Sequence, residues 1–348
     1  MRPYGGNLRR PDGCGTMIAP DARTPRHPGR PRARRAAGGL RADNAVLWPP
    51  KKEDIYLKIN NTHKRKKKKS GARQVLLLLL ALLAAALLDS RYRIVTTQYS
   101  LSYADLPQSF GGLKLVQISD LHMTSFGKDN GRLLSAVAAQ APDVILLTGD
   151  FLNGSKTPTD GAQTAALRPF FEKLTAIAPC YYVTGNNEWA STEMKFLPAV
   201  LKETGVTYLK NSGVLFEQNG ESIVLAGVDD PNGPADQLRP DALCQKLAAR
   251  YPGKFKLLLA HRNDFPAKYP ALPVDLVVCG HAHGGIVRLP GLGGLFGSGY
   301  RLLPAYDAGL YHSGSYDMIV SRGLGNGKKS IPRLFNEPEL VAITLHTK

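Results

Sequence analysis

Short apolar runs alternate with longer amphipathic stretches along most of the chain after residue 94. Apolar runs rich in β-branched and aliphatic residues predict buried strands, and the amphipathic stretches predict helices. The alternation predicts an α/β fold in which helices cover strands on both sides. The predicted strands span residues 94–103, 113–119, 144–148, 181–184, 222–228, 255–260 and 274–279, and the predicted helices span residues 132–140 and 162–177.

One later stretch shows neither the apolar pattern of a strand nor the amphipathic pattern of a helix. Residues 284–300 are rich in Gly and Leu, so we expect a mobile loop there rather than a regular element. Its apolar residues 292–296 could contact lipid or could equally belong to the core.

A different pattern precedes the strands. Residues 75–88 contain no polar side chain and follow a basic run at residues 64–69. As a helix these 14 residues would be about 21 Å long, shorter than the roughly 30 Å hydrocarbon core of a bilayer. Snorkelling of flanking residues such as Arg73, or local thinning of the bilayer, would compensate. We expect a transmembrane signal anchor over residues 74–89, with the following chain on the extracytoplasmic side because the basic flank comes first.

Two alternatives to the anchor stay open. Residues 84–86 are three alanines that could form the cleavage site of a signal peptide, although the leader is much longer than a usual basic n-region. A buried core helix is the other alternative, and the six adjacent basic residues count against it because charged side chains are rarely buried.

Charge is distributed unevenly along the 348 residues. The net charge is +17, of which residues 1–73 carry +15 and residues 74–348 carry +2. We predict a disordered basic leader over residues 1–63, or an upstream extension of the reading frame, followed by a polybasic flank at residues 64–73. A tether to nucleic acid or to a membrane surface is a further hypothesis. A nucleic-acid-binding domain carries its charge on the folded part, so we expect no nucleic-acid partner.

The cysteines do not suggest a disulfide framework. Cys14 lies in the leader, which leaves Cys180, Cys244 and Cys279 in the predicted domain. Two of these border apolar runs, which indicates buried thiols, although one disulfide among the three is possible. No CxxC spacing is present to indicate structural zinc.

Residues that can bind metal follow five of the predicted strands. Residues two apart in extended chain point to the same side, so Asp120 and His122 can reach one ion, as can His281 and His283. In open α/β sheets, ligands bind where such loops converge at the carboxyl ends of the strands. The candidate metal ligands are Asp120, His122, Asp150, Asn186, His261, His281 and His283.

This set predicts a site for two divalent metal ions. His, Asp and Asn side chains suit Mn²⁺, Fe or Zn²⁺. The two carboxylate oxygens of Asp150 allow it to bridge both ions, which makes it a candidate catalytic residue. Two such ions can activate water and hold a phosphoryl group during in-line displacement. We therefore expect a metal-dependent phosphoric ester or pyrophosphate hydrolase, in which a metal-bound hydroxide attacks phosphorus.

These motifs resemble the calcineurin-like metallophosphoesterase superfamily over about residues 113–345. Residues 117–122 (Gln-Ile-Ser-Asp-Leu-His) and 280–285 (Gly-His-Ala-His-Gly-Gly) are similar to a membrane-anchored branch of that superfamily. Residues 321–325 and 333–340 are similar to the same branch, which includes UDP-2,3-diacylglucosamine pyrophosphatase and related phosphodiesterases.

The resemblance implies a fold and an assignment of the metal ligands. The fold is a four-layer α/β/β/α sandwich of two mixed sheets, which would occupy residues 90–348. One ion would be held by Asp120, His122, Asp150 and His283, and the other by Asp150, Asn186, His261 and His281.

One position departs from the family pattern. The family usually has His after the metal-binding Asn, whereas this chain has Asn187. The family His is thought to orient the phosphate or to protonate the leaving group. An amide can donate a hydrogen bond but cannot deliver a proton near neutral pH. We therefore expect a narrow range of substrates, with good leaving groups or diphosphates. The alternative is a metal-binding regulatory protein whose catalysis is weakened at Asn187.

The sequence indicates only the chemical class of the substrate. Arg262 and Arg322 could bind a phosphate as guanidinium forks, or could serve in salt bridges. An anchor favours phosphoesters or diphosphates that are lipid-linked. The resemblance implies a substrate like UDP-diacylglucosamine, which would be hydrolysed on the cytoplasmic side of the membrane. The charge pattern instead predicts that the domain lies on the extracytoplasmic side, and we follow the charge pattern for the topology.

Overall fold

The computed structural model describes residues 52–235, 237–297, 301–326 and 331–348. Most of the predicted disordered leader, residues 1–51, lies outside the described residues. Residues 52–63 form the start of a long helix, and the predicted leader over residues 1–63 stays a prediction. The sequence has no Pro or Gly between Pro50 and Gly71, so nothing in the local chain interrupts a helix there.

The helices in chain order are α1 (Lys52–Tyr92), α2 (Gly131–Ala138), α3 (Ala162–Thr175), α4 (Asn186–Trp189), α5 (Leu197–Glu203), α6 (Pro240–Arg250) and α7 (Phe265–Lys268). The strands in chain order are β1 (Val95–Tyr103), β2 (Lys114–Ile118), β3 (Val144–Leu147), β4 (Cys180–Tyr182), β5 (Thr207–Tyr208), β6 (Ser212–Gln218), β7 (Glu221–Gly227), β8 (Lys256–Leu259), β9 (Leu276–Cys279), β10 (Arg288–Leu289), β11 (Gly293–Gly294), β12 (Gly309–Ser313), β13 (Tyr316–Val320) and β14 (Glu339–Thr347).

The second half of α1 is apolar and exposed. Within its 22-residue segment Gly71–Tyr92, an 18-residue window has a mean hydropathy of 2.2, and none of that window is buried. At 1.5 Å per residue the segment is about 33 Å long, although its uninterrupted apolar run is still residues 75–88. By length and composition alone, this helix could cross a membrane.

The strands form two six-stranded mixed sheets and one small hairpin. The first sheet has the order β1-β14-β2-β3-β4-β5, with β2 to β5 parallel and β14 antiparallel to β2. The second has the order β12-β13-β9-β8-β7-β6, with β7, β8, β9 and β13 parallel and the two edge strands antiparallel. In both sheets, the carboxyl ends of the parallel strands lie along one edge.

Strand β3 shows why the central strands read as unbroken apolar runs. Successive side chains of a strand point to opposite faces, and both faces of β3 are buried. Ile145 and Leu147 pack in a core with residues of α2, α3 and α5, whereas Val144 and Leu146 pack in a core shared by both sheets. A third core joins the other face of the second sheet to residues of α6 and α7.

The predicted strands all coincide with strands of the structure, but several elements were not predicted. These include β5, β6, β12, β13, β14, α5 and α6. Of the predicted loop at residues 284–300, the described residues 284–297 are more ordered than expected, because β10 and β11 pair as a short hairpin; residues 298–300 lie outside the described residues. Gly291 and Gly293 adopt positive φ angles of 77° and 78°, which permit its tight turn.

The cysteine prediction is confirmed. Cys180, Cys244 and Cys279 are free, buried thiols.

Candidate metal centre

The candidate ligands follow the carboxyl ends of five parallel strands. Asp120 lies two residues beyond β2, Asp150 lies three beyond β3, and Asn186 begins the short helix after β4. In the second sheet, His261 follows β8 and the pair His281 and His283 follows β9. The two sheets therefore deliver ligands to one region from both sides, and all seven predicted ligands come together there.

The backbone at these ligands is strained. Asp120, His122, Asp150, His281 and His283 have φ angles of 53°, 49°, 57°, 70° and 51°. The left-handed region is uncommon for residues other than Gly and costs on the order of 1–3 kcal/mol per residue. Such strain persists when the surrounding fold imposes it, and it is concentrated at functional sites.

The first cluster contains Asp120, His122, Asp150 and His283, all buried. The Nε2 atoms of His122 and His283 are 3.2 Å apart. His283 Nε2 lies 3.5 Å from Asp120 Oδ1, and His122 Nε2 lies 3.6 Å from Asp150 Oδ2. Ligand atoms held about 2.0–2.2 Å from one ion are separated by roughly 3–3.6 Å, so these spacings fit a single coordination shell.

The second cluster shares Asp150 with the first. His261 Nε2 lies 3.3 Å from Asp150 Oδ2, 3.1 Å from His281 Nδ1 and 3.2 Å from Asn186 Oδ1. These separations fit one coordination shell as well. Because the same oxygen, Asp150 Oδ2, faces both clusters, Asp150 is placed to bridge two ions.

Backbone carbonyls orient two of the histidine rings. His261 Nδ1 lies 2.9 Å from Thr148 O, and His283 Nδ1 lies 3.2 Å from Gly325 O. Each Nδ1–H donates to its carbonyl, which leaves the Nε2 lone pair turned toward the cluster. This is the tautomer and orientation that metal-binding histidines adopt.

The electrostatics of the site favour bound positive charge. Burial disfavours a charged His261, but Asp150 and Asp120 outweigh burial and raise the pKa of His261 to about 10. Burial likewise opposes ionisation of Asp150, yet His261 and His122 hold the pKa of Asp150 well below its usual range. The carboxylates therefore hold protons on nearby histidines, and divalent ions can take the place of those protons.

Asn187 is held against Asp150. Its backbone N–H donates to Asp150 Oδ1 at 2.8 Å, and its side-chain Nδ2 donates to Asp150 Oδ2 at 2.5 Å. Its side-chain oxygen accepts from the Gly154 amide at 3.1 Å. The amide therefore orients the carboxylate that both clusters share.

Glu188 is a site residue that the sequence analysis missed. Its carboxylate accepts backbone hydrogen bonds from Asp150, Phe151, Leu152 and Gly185 at 2.7–3.0 Å. Burial and the Asp150 charge raise the pKa of Glu188 to about 7, whereas the amides of Leu152 and Asp150 act in the opposite direction. The available signal was its place in the first turn of a helix, where Glu commonly binds backbone amides.

The two predicted phosphate-binding arginines differ in placement. The Arg262 guanidinium binds Asp230 at 2.5 and 3.0 Å, and its Nη1 is 3.1 Å from His281 Nε2. It therefore lies at the edge of the second cluster. Arg322 forms salt bridges with Glu337 at 3.2 Å and Glu339 at 3.1 Å.

A cavity of about 240 Å³ opens beside the second cluster. His261, Arg262 and Asp230 line one side of it, and Phe265 and Tyr269 contribute aromatic surface. A pocket with a few polar groups among apolar residues is typical of a small-molecule subsite.

Comparison with known proteins identifies relatives of this chain. The family model for calcineurin-like phosphoesterases matches residues 113–285. The metallophosphoesterase YkuE of Bacillus subtilis (strain 168) is 29% identical over 258 residues, which cover 73% of this chain and 86% of YkuE. The phosphodiesterase YaeI of Escherichia coli (strain K12) is 30% identical over 218 residues, which cover 61% of this chain and 75% of YaeI.

A third relative is described as a transmembrane protein. A transmembrane protein with metallophosphoesterase domain from Danio rerio is 28% identical over 263 residues, which cover 69% of this chain and 54% of that protein. The family match spans every candidate ligand from Asp120 to His283.

Proposed function

This chain belongs to the calcineurin-like metallophosphoesterase superfamily, and from that premise we propose that it is a membrane-anchored two-metal hydrolase of phosphodiester or diphosphate bonds. The main observation in support is the pair of buried Asp and His clusters that share Asp150. We propose Mn²⁺, Fe or Zn²⁺ as the ions. Asp120, His122, Asp150 and His283 would hold one ion, and Asp150, Asn186, His261 and His281 the other.

Two divalent ions at this site would activate water and stabilise the charge that develops on the phosphoryl group. The protein's own residues fix where that happens. Asp150 would be a ligand of both ions, and Asn187 and Glu188 hold Asp150 and its loop in place. The buried setting excludes bulk water, so each charge interaction is stronger than it would be in solvent.

The leaving group must depart without a proton from Asn187. General acid catalysis typically contributes roughly 10²–10⁴-fold, so its loss favours substrates that already have good leaving groups. The cavity beside His261 is a suitable place for that group, and Arg262 lies where it could bind a phosphoryl oxygen. Arg322 pairs with Glu337 and Glu339, and its role in substrate binding stays a prediction.

Several observations support attachment to a membrane. The apolar segment of α1 is long enough to cross a bilayer. In the described part of the chain after α1, five of the six exposed large apolar residues fall between residues 289 and 335. The five are Leu289, Leu292, Leu302, Leu303 and Phe335.

These apolar residues are tied to the end of α1. Phe335 precedes Asn336, whose backbone N–H lies 3.4 Å from the Ser90 hydroxyl of α1. The hairpin bearing Leu289 and Leu292 is bonded to the same segment through Arg288 N–H and Leu334 O at 3.0 Å. An exposed apolar surface of this kind suits contact with lipid, and it supports a lipid-linked substrate.

The remaining parts of the proposal concern topology and architecture. The basic residues before α1's apolar segment favour a single-pass anchor with the catalytic domain, residues 90–348, on the extracytoplasmic side. The three cores support a four-layer α/β/β/α arrangement.

Hydrolysis of bis-p-nitrophenyl phosphate tests the proposal. The full-length chain in neutral detergent is stripped of metal, supplied with Mn²⁺ and assayed beside Asp150→Asn. Asp129→Asn, an exposed surface change, is the matched control. We expect Mn²⁺-dependent turnover that Asp150→Asn abolishes and Asp129→Asn retains.

The competing function is a metal-binding regulatory protein, and the replacement of the family His by Asn187 is the observation that favours it. Two bound ions per chain without turnover of bis-p-nitrophenyl phosphate or of a diphosphate would select that function over the hydrolase.

A further inference from the structure

A second cavity, of about 460 Å³, lies between the end of α1 and the loops behind the first metal cluster. Leu87, Leu88 and Arg91 of α1 line it on one side, and Asn326 and Arg333 line it on the other. None of these residues is a candidate metal ligand, so the metal centre does not account for this cavity.

Arg333 is the main polar feature of this cavity. Its side chain is buried, with the residue only 4% exposed. Nη2 donates to Gly325 O at 2.6 Å and to Arg322 O at 2.7 Å, whereas Nη1 has no hydrogen-bond partner in the described part of the chain. The guanidinium of Arg333 stays charged, because arginine is not deprotonated in proteins.

A buried cation needs a counter-charge. No ion pair joins Arg333 to a carboxylate among the residues that the structure describes, since Glu337 and Glu339 are bound by Arg322. Buried polar groups in native proteins are hydrogen-bonded, and buried charges are paired. An anion in the cavity would satisfy both requirements.

The cavity also has a polar side chain and an apolar wall. Asn326 lies at its wall, where Nδ2 donates to Ile331 O at 2.9 Å. Leu87 and Leu88 continue the exposed apolar face of α1 into the cavity.

We propose that this cavity binds the headgroup of an anionic membrane lipid. The buried charge of Arg333 and the exposed charge of Arg91 attract the lipid phosphate, and the Asn326 side chain lies at the cavity wall. The acyl chains lie along Leu87 and Leu88 of the helix that the proposed function places in the bilayer.

The bound lipid is not the reacting substrate. Arg333 and His283 Nδ1 both donate to the carbonyl of Gly325, and Arg333 Nη2 lies 3.4 Å from His283 Nδ1. The cavity is therefore on the Nδ1 side of His283, whereas Nε2 faces the metal cluster. A lipid that holds Arg333 also holds the carbonyl that orients His283. This link and the placement of α1 in the bilayer rest on the proposed function, whereas the headgroup site itself needs no metal.

Lipid binding is tested on the full-length chain in neutral detergent by isothermal titration calorimetry. The probes are short-chain phosphatidylglycerol, phosphatidylcholine with the same acyl chains, and glycerol 3-phosphate. We expect saturable binding of phosphatidylglycerol, with at least about tenfold weaker binding of the other two.

Variants locate the site. Asn326→Asp places a carboxylate in the cavity wall, and Arg91→Glu reverses an exposed charge at its edge; each should weaken phosphatidylglycerol binding by about tenfold or more. Arg250→Glu makes the same charge change at the exposed end of α6 and should leave binding unchanged. Arg333→Gln should abolish binding, and circular dichroism establishes whether that variant folds.

The outcomes separate this proposal from the hydrolase proposal. Equal binding of the two lipids, or unchanged binding in both Asn326→Asp and Arg91→Glu, would overturn it. Glycerol 3-phosphate binding as tight as that of phosphatidylglycerol would overturn the lipid assignment. Asp150→Asn should bind lipid normally, so failure of catalysis alone does not affect the result.

Discussion

The Glu188 carboxylate allows a quantitative test of how the Asp150 loop is held. One of its oxygens accepts from the amides of Phe151 and Leu152, and the other accepts from the amides of Asp150 and Gly185. In Glu188→Gln an NH₂ group replaces one of these oxygens and faces two N–H donors. Two hydrogen bonds to a charged acceptor are lost at roughly 1.5–3 kcal/mol each, so we expect a loss of about 3–6 kcal/mol in the free energy of unfolding.

The assay compares urea unfolding of the full-length protein with that of Glu188→Gln in detergent. It is run at pH 8, above the pKa of about 7, so that Glu188 is largely ionised. Hydrogen exchange of the peptide that contains Phe151 and Leu152 gives a local readout, and faster exchange is expected there. Glu203→Gln is the control, because Glu203 is 53% exposed and pairs with Arg168 at the surface.

Surface pairs contribute at most about 1 kcal/mol, so the control should change little. If Glu188→Gln costs less than about 1 kcal/mol and exchange at Phe151 is unchanged, the four hydrogen bonds do not hold the loop. The account of how Asp150 is positioned would then be wrong.

Three further predictions follow from the same site. Asn187→His should raise turnover of phosphodiesters with poor leaving groups by about tenfold or more, and no increase on any phosphodiester would contradict the role given to Asn187. The apparent affinity for Mn²⁺ should rise by up to about tenfold per pH unit between pH 6 and 8. The reason is that His261 must lose a proton to bind metal, and its pKa is raised to about 10. A calorimetric titration that shows no dependence of the Mn²⁺ affinity on pH would refute this. Gly185→Ala should abolish metal binding, since an added Cβ would collide with Asp150 Oδ1 and His261 Nδ1, and metal analysis of the folded variant would show it.

The metal ligands were predictable because the relevant rule is local. Each follows an apolar run that forms a parallel strand, and the carboxyl ends of parallel strands converge. Asp120 and His122 could therefore be placed together without knowledge of the tertiary structure. The continuous apolar pattern of β3 likewise indicated a strand that is buried on both faces.

The residues that support the ligands were not predictable in the same way. Glu188 meets the Asp150 loop across 36–38 residues, and Arg262 meets Asp230 across 32. The periodicity of apolar residues in the sequence does not predict such contacts, because they depend on how separate strands pack. The pairing of Arg322 with Glu337 and Glu339 likewise exists only in the folded chain.

The position of β14 has a consequence for the order of events during synthesis. Strand β14 lies between β1 and β2, and its register aligns Glu339 with Val95, about 240 residues away in sequence. Strand β1, which follows α1, therefore obtains its neighbour only after every other strand in the described chain has left the ribosome. Pairings of such long sequence separation form late. Until then β1 is unpaired and β2 is an edge strand of the first sheet.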